Sequence, residues 1–293
     1  MVVLVIKNFE LRIMKSNIQI ILCSLLLVLG SLFTACEVIP AGEHDKVIFT
    51  PADPTAVKRT SLLIEYSGWM CVNCPTAAEE AHRLKEQYGE NLVVVVMHPE
   101  SNPNTRHNNK PALNYTCPEA DSIYLMMGGT NTTPFPTGNV NMVKDETKGY
   151  FCDYDKWGTL VSQAYATPKP VLLTAEASII DTNVIFVAVN ITNLDTQAMD
   201  ATLQVWLTED NVIGNQKKPE GTDKEYAHNH LMRASISPLW GEQLPIDAHM
   251  TQQVVYEYTL PEKVKKENCN IVAFVSVNGE VVQAAESRII ENN

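Results

Sequence analysis

The sequence predicts two folded parts in series, an α/β domain over 58–167 and an all-β domain over 171–293. Three observations carry this prediction. A Cys-x-x-Cys pair, Cys71 and Cys74, lies between an apolar run and an amphipathic helical pattern. The prolines of Thr167-Pro168-Lys169-Pro170 exclude a helix and separate the two parts. Beyond them, short alternating segments recur at fairly regular spacing, which is typical of a β-sandwich.

Composition limits the possible functions. The chain has 293 residues, of which 45% are hydrophobic and 19% charged, so it is long enough for two globular domains and is not a disordered chain. Its formal net charge is −12. Because such an acidic surface repels nucleic acid, we expect no nucleic-acid partner.

The N-terminal residues resemble a bacterial lipoprotein signal. An uncharged apolar stretch runs from Ile20 to Phe33 and is followed by Thr34-Ala35-Cys36. We expect residues 1–35 to be a signal peptide with Met14 as the true start, and Cys36 to be acylated and to anchor the chain in a membrane. The alternative, a spanning helix, is disfavoured because the apolar stretch is too short for a bilayer core of about 30 Å. Residues 36–57 lack periodicity and are interpreted as a tether.

The first folded part begins with a β-α-β unit. Ser61–Tyr66 and Leu92–Met97 are apolar runs with strand character, and Pro75–Tyr88 between them has one apolar helical face. We expect the two strands to pair in parallel. A hairpin and a closing helix complete the order of a thioredoxin-like domain, with an insertion over Pro99–Thr133; the predicted segments are Thr137–Val143, Gly149–Phe151 and Asp155–Ala166.

The second part is expected to be an immunoglobulin-like β-sandwich of seven strands. Asn278-Gly279 is a strong hairpin signal between the last two strands. The predicted strands are Leu172–Ile180, Val184–Asn190, Thr202–Thr208, His228–Ser235, Gln253–Thr259, Ile271–Val277 and Val281–Glu286.

The cysteine pair is the strongest chemical signal. At the start of a helix, Cys71 lies beside unpaired N–H groups and the positive end of the helix dipole, which favour its thiolate. We expect Cys71 to be the attacking nucleophile and Cys74 the resolving cysteine of a thiol–disulfide centre. Two alternatives stay open: a purely structural disulfide, and a zinc site in which His98 and other groups complete the ligands.

Further residues fit the redox interpretation. Glu65 stands six residues before Cys71, where thioredoxin-like oxidoreductases carry a buried acid, and we expect it to relay a proton; a solvent-facing Glu65 is the alternative. Phe135-Pro136 resembles the cis-proline loop that shapes the substrate groove of such proteins, with Pro134 as the rival.

Other cysteines and histidines are candidates for different roles. Cys117 and Cys152 are candidates for a stabilising disulfide, and Cys269 is expected to be a buried free thiol. His228 and His230 would share one face of a strand, as a ligand patch or as a solvated face.

Together these features resemble the 28-kilodalton outer membrane protein family of Bacteroides-type bacteria. The resemblance is carried by the signal, by the segments around the cysteine pair and Pro136, and by three further segments, His228-Asn-His-Leu-Met-Arg233, Leu239-Trp-Gly-Glu242 and Ile271-Val-Ala-Phe-Val275. It implies an outer-membrane lipoprotein with a thioredoxin-like domain followed by a β-sandwich, and it implies no settled activity.

Two functional hypotheses follow from the sequence. Either the protein has a redox role, in envelope binding or assembly together with thiol–disulfide exchange or as a dedicated envelope thiol–disulfide oxidoreductase, or it is an adhesion or binding lipoprotein whose cysteine pair is only a structural disulfide. Both predict envelope proteins or peptides as partners. We expect no cofactor and no resident metal.

Overall fold

The computed structural model describes residues 46–48, 57–106 and 115–291, with backbone alone at 46–48. The predicted signal and Cys36 lie outside these residues. Within them the helices are α1 (Cys74–Tyr88), α2 (Pro118–Met126) and α3 (Trp157–Tyr165), with single 3₁₀ turns at Gly89–Asn91, Tyr154–Lys156 and Lys266–Asn268. None of the helices in the described ranges is long and apolar enough to cross a membrane.

Fourteen β-strands lie in the described residues. They are β1 (Lys46–Ile48), β2 (Ser61–Tyr66), β3 (Leu92–Met97), β4 (Thr137–Val140), β5 (Val171–Asp181), β6 (Val184–Asn193), β7 (Met199–Glu209), β8 (Val212–Lys218), β9 (Gly221–His228), β10 (Leu231–Ser235), β11 (Glu242–Ile246), β12 (Met250–Thr259), β13 (Cys269–Val277) and β14 (Glu280–Glu291). The stretch interpreted as a tether thus contains a short strand, β1, which pairs with β12.

The β2-α1-β3 unit forms as predicted. Strands β2 and β3 pair in parallel with Ser61 opposite Leu92, and β4 pairs antiparallel on the other edge of β2. All six residues of β2 are buried, because helices or strands cover both of its faces. Helix α1 buries Ala77, Ala81 and Leu84 against one of these faces.

The predicted fold class, a thioredoxin-like α/β fold followed by an immunoglobulin-like sandwich, is wrong. The described part of the chain is mostly β, with 47% strand and 19% helix, and twelve of its fourteen strands join in one large mixed sheet, whereas β8 and β9 form a sheet of two strands. Strand β10 pairs in parallel with β3, placing Leu231 opposite Val96, and the Val96 N–H donates to the His230 carbonyl at 2.8 Å. Since β10 also pairs with β7, the sheet continues from β4 to β1 in the order β4-β2-β3-β10-β7-β13-β14-β5-β6-β12-β1.

The early and late strands join because β3 would otherwise expose an open edge and β2 would otherwise expose an apolar face. An open strand edge presents unpaired N–H and C=O groups, which β10 satisfies. Leu62, Ile64 and Tyr66 project from the face of β2 opposite α1, and they share one apolar cluster with Trp206 and Phe274 of the later strands. The early and late strands therefore share a core.

A second core lies among the later strands alone. Residues of β5, β6 and β12 pack against residues of β7 and β13, and β14 pairs with β13 along most of its length and with β5 at its end. The predicted hairpin through Asn278-Gly279 joins β13 to β14. The change of sequence character near Pro168 coincides with the passage from α3 to β5; the assignment of 58–167 and 171–293 as separate domains stays a prediction.

Candidate functional site

Cys71 and Cys74 form a disulfide at the start of α1, with their Cα atoms 5.4 Å apart. Cys74 is the first residue of the helix, and Pro75 follows it in the first turn, where a missing N–H costs no hydrogen bond. The segment before the helix is held by main-chain hydrogen bonds from Cys71 N–H to Gly68 O (3.0 Å) and from Met70 N–H to Asn104 O (3.0 Å). Cys71 is 4% exposed and Cys74 is 1% exposed.

Glu65 lies on β2 and is 1% exposed, so the alternative of a solvent-facing carboxyl is wrong. Neither of its carboxyl oxygens makes a well-formed hydrogen bond. Burial raises the pKa of Glu65 to about 8, and the nearby Ser67 side chain offsets this effect only in part. The carboxyl is therefore a neutral acid over most of the physiological range.

Glu65 and Cys74 line the same cavity, which has a volume of about 220 Å³. Ser67, His98 and His228 also contribute to its walls. The cavity thus connects a buried acid with the sulfur that becomes a thiolate when the disulfide opens at Cys71.

Pro136 has the predicted cis peptide bond, between Phe135 and Pro136. It immediately precedes β4, whose Thr137 pairs with Tyr66 at the end of β2. The chain reaches the cysteine segment directly from this end of β2, so Pro136 and the disulfide belong to the same end of the sheet. A role of Pro136 in a substrate groove stays a prediction.

A two-stranded hairpin, β8–β9, covers the disulfide. The Gln216 amide Nε2 donates to the Cys71 carbonyl at 2.9 Å, and the Lys217 N–H donates to the Trp69 carbonyl at 2.7 Å. Gln216 itself is buried. The hairpin therefore occupies the backbone acceptors on both sides of Met70 and limits access to Cys71.

Sequence reasoning missed this hairpin, because the stretch between two predicted strands was left without an assignment. The signal was present in Pro219-Glu220-Gly221, a turn-forming triplet flanked by short segments that can form strands.

Aromatic and imidazole rings join the hairpin to the strands beneath it. His228 lies 4.4 Å from Tyr115, 5.4 Å from His98 and 4.9 Å from Tyr226 between ring centroids. Burial lowers the pKa of His228 to about 4 and lowers the pKa of His98 well below its usual value. Both rings are neutral at physiological pH.

The expected face shared by His228 and His230 does not form. His228 ends β9, whereas His230 lies outside both β9 and β10 at a φ of 56°. No cluster of three or more metal-ligating side chains occurs in the described ranges. Cys71 and Cys74 are joined to each other and have no thiolate to offer zinc.

The remaining cysteines in the described part of the chain are free thiols. Cys117 packs with Leu62 and Ile64 on one face of β2, whereas Cys152 packs with the cluster around Leu63 on the opposite face. The disulfide suggested between Cys117 and Cys152 is therefore absent, because the sheet lies between them. Cys269 is buried and free, as predicted.

Comparison with known proteins gives one family match. A family model described as outer membrane protein Omp28 matches residues 128–293, a range that begins after the cysteine pair. No curated protein matches the chain.

Solved structures similar to this chain include the following three. HBP35 of Porphyromonas gingivalis is 16% identical with a TM-score of 0.63, over 80% of this chain and 76% of that one, a likeness of fold alone. A domain of the outer membrane lipoprotein Omp28 from Porphyromonas gingivalis is 25% identical with a TM-score of 0.32, over 42% of this chain and 90% of that one. Protein AGR_C_4864 from Agrobacterium tumefaciens is 11% identical with a TM-score of 0.47, over 78% and 94%.

Proposed function

The chain belongs to the outer membrane protein Omp28 family and is an outer-membrane protein, and from this premise we propose that it binds envelope polypeptides and exchanges disulfides with them at Cys71 and Cys74. The observation that carries the proposal is the cavity shared by Cys74 and the buried carboxyl of Glu65.

A buried carboxyl with no well-formed hydrogen bond destabilises a fold, and a disulfide that served only as a staple would not need one nearby. A group with a pKa of about 8 can both release and accept a proton near neutral pH. Such a group assists disulfide exchange, because each opening of the bond creates a thiolate that a nearby acid can protonate. Glu65 thus supplies a proton donor that serves disulfide exchange and that a purely structural disulfide does not need.

A partner with two thiols exchanges with the disulfide in two steps. A partner thiolate attacks Cys71 Sγ, the Cys71–Cys74 bond breaks, and Cys74 leaves as a thiolate that takes the Glu65 proton. A second partner thiolate then attacks the partner sulfur of the mixed disulfide and releases Cys71. The partner is oxidised by two electrons to a disulfide, and the Cys71–Cys74 pair is reduced by two electrons. The reverse sequence reduces a partner disulfide.

The β8–β9 hairpin has to move for a polypeptide to reach Cys71. The Lys217 N–H on the Trp69 carbonyl is a strand-like contact that an extended partner chain can replace with its own backbone. In the resting protein the hairpin therefore occupies the position that a partner chain would take. A partner that binds must displace the hairpin from the Trp69 carbonyl.

Trapping of mixed disulfides tests the assignment of the two cysteines. With a peptide that contains a disulfide, Cys74→Ser should accumulate a mixed disulfide at Cys71, because the Cys71 thiolate attacks the peptide disulfide, one peptide thiolate leaves, and no Cys74 thiol remains to release the product. Cys71→Ser should form none, because the exchanging sulfur is lost. Cys152→Ser is the matched control and should behave as the unmodified chain does. Equal adduct formation by Cys71→Ser and Cys74→Ser, mapped by mass spectrometry, would refute the assignment.

A binding protein with a purely structural disulfide is the second candidate function. The very low exposure of Cys71 and Cys74 is also what a structural disulfide would show in an envelope protein that binds partners through its β-strands. In that case the bond resists reduction and its loss lowers stability without affecting any exchange reaction.

The membrane anchor belongs to the same proposal. Acylation of Cys36 places the chain at the outer membrane by a lipid, since Leu32-Phe33-Thr34-Ala35 before it resembles a lipoprotein cleavage site. Metabolic labelling with an alkyne-bearing fatty acid should mark the unmodified chain and leave Cys36→Ala unmarked. Equal labelling of Cys36→Ala would exclude this anchor.

A further inference from the structure

A second, larger cleft lies between α3 and the loop that follows β4, and it includes none of the residues assigned to exchange. Its volume is about 750 Å³, within the range of roughly 300–1,000 Å³ typical of small-molecule sites. We propose that this cleft binds a small amphiphile that carries one anionic head group on an apolar chain.

The apolar part of the cleft suits a hydrocarbon chain. Val140 of β4, Phe151, and Leu160 and Ala164 of α3 contribute to its walls. Val140 and Ala164 are buried and Phe151 and Leu160 are partly buried, so most of the apolar lining is recessed, although Val143, which also lines the cleft, is 49% exposed. A bare inorganic anion would leave this surface in contact with water.

The charged part of the cleft suits an anion, although the chain as a whole carries a net charge of −12. Five cations line it, namely Arg59, Lys144, Lys148, Lys156 and Lys169, against three carboxylates, Asp145, Glu146 and Glu280.

Two of these carboxylates already have partners. Glu280 lies 2.8 Å from the Arg59 guanidinium and 4.0 Å from Lys169 Nζ. Asp145 Oδ1 accepts hydrogen bonds from the backbone N–H groups of Thr147 and Lys148.

Lys144 and Lys148 remain available for a ligand. Within the described residues, neither ammonium group has a carboxylate oxygen within 4 Å. The Lys144 ammonium lies 5.8 Å from the centre of the Tyr150 ring, at the edge of the cleft. Both lysines are exposed to solvent, and an anionic head group can form ion pairs with them that a neutral lipid cannot form.

Two buried polar atoms on residues that line the cleft also lack hydrogen-bond partners within the described part of the chain. They are Nε of Arg59, a side chain that is 4% exposed, and Oδ1 of Asn139, which is 3% exposed. The Nδ2 group of Asn139 donates to the carbonyls of Val143 and Tyr150 and so holds the loop against β4. An unpaired buried N–H group is costly, and an anionic head group that enters the cleft can accept a hydrogen bond from Arg59 Nε. Asn139 Oδ1 is itself an acceptor and would need a donor from elsewhere.

Photo-crosslinking in uncharged phosphatidylcholine nanodiscs tests the proposal on the full chain. The probes are dodecanoate, dodecyl phosphate and dodecanol, each with a diazirine on the alkyl chain. We expect saturable crosslinks of the two anionic probes within residues 139–164, and about tenfold fewer crosslinks of dodecanol, the ratio that corresponds to one to two lost charge contacts. Competition between unlabelled dodecanoate and dodecyl phosphate then identifies the preferred head group.

Substitution of the two available lysines provides the matched test. Lys144→Gln together with Lys148→Gln should lower crosslinking by the anionic probes about tenfold and leave the dodecanol signal unchanged. Lys263→Gln, an exposed lysine outside the cleft, is the control and should change neither signal. Equal crosslinking by dodecanol, crosslinks confined to other segments, or an unaffected lysine double variant would each overturn the proposal.

Discussion

The two cavities of this protein differ in the properties that decide what each can do. The cavity at Cys74 is small, is covered by the β8–β9 hairpin, and contains a buried acid and two neutral imidazoles. The cleft at α3 is more than three times larger and is rimmed by lysines. The first suits the movement of a proton beside a disulfide, and the second suits a bound molecule. The presence of a cysteine therefore does not mark a redox site: Cys152 lines the cleft, where burial raises the pKa of its thiol to about 11.

The largest expected difference between the two regions is the response to cysteine removal. Cys71→Ser should lower the rate of exchange with a dithiol peptide by about 10³-fold or more, because the attacked sulfur is lost. Cys152→Ser should leave the rate unchanged, since its thiol is far from its reactive form near neutral pH. Stopped-flow or gel-based exchange assays on the full chain measure both. Exchange lost in both variants would remove the distinction between the regions.

Glu65 should make the stability of the protein depend on pH. Its folded-state pKa of about 8 lies above the ordinary value of 4.5, so the folded state binds more protons than the unfolded state between these limits. The free energy of unfolding contributed by Glu65 is thus present in full below pH 4.5, falls as the pH rises, and is lost above pH 8. Relative to Glu65→Gln, the unmodified chain should lose on the order of 4 kcal/mol from pH 5 to pH 8.

Urea unfolding at several pH values, with the disulfide kept oxidised, measures this difference. A parallel pH dependence in the unmodified chain and in Glu65→Gln would mean that Glu65 is not a buried acid with a raised pKa. The rate of exchange supplies an independent readout, since Glu65→Gln should lower it about 10²-fold.

The smallest expected effect concerns the hairpin. Gln216→Ala removes the amide that donates to the Cys71 carbonyl, and a buried hydrogen bond of this kind contributes about 1 kcal/mol. The hairpin should open more often, and dithiothreitol should reduce the disulfide roughly five- to tenfold faster. Gln243→Ala is the control, because its amide donates to Thr202 Oγ1 at 2.8 Å on an exposed surface. An unchanged reduction rate in Gln216→Ala would show that the hairpin does not limit access.

Local patterns in the sequence predicted the parts of this fold that depend on neighbouring residues. The bounds of β2 and β3 agree with the predicted strands, and α1 differs by one residue, because apolar periodicity and Gly89 determine them locally. The disulfide and the cis bond before Pro136 were also predictable, since residue type and spacing specify them.

The parts that failed depend on contacts between distant residues. The pairing of Leu231 with Val96 merges the early and late strands, and neither segment reveals its partner. The separation of Cys117 from Cys152 likewise depends on which face of β2 each residue meets. The cover that Gln216 provides for Cys71 joins residues 145 positions apart, which no local pattern can indicate.

The reduction potential of the Cys71–Cys74 pair tests the central claim most directly. It is measured on the full chain by equilibration in glutathione buffers, alkylation of free thiols and mass spectrometry of the peptide that contains both cysteines. The proposed exchange centre predicts a potential of roughly −270 to −120 mV, the range of proteins that exchange disulfides. A potential below about −300 mV would identify a structural disulfide and contradict the proposed exchange.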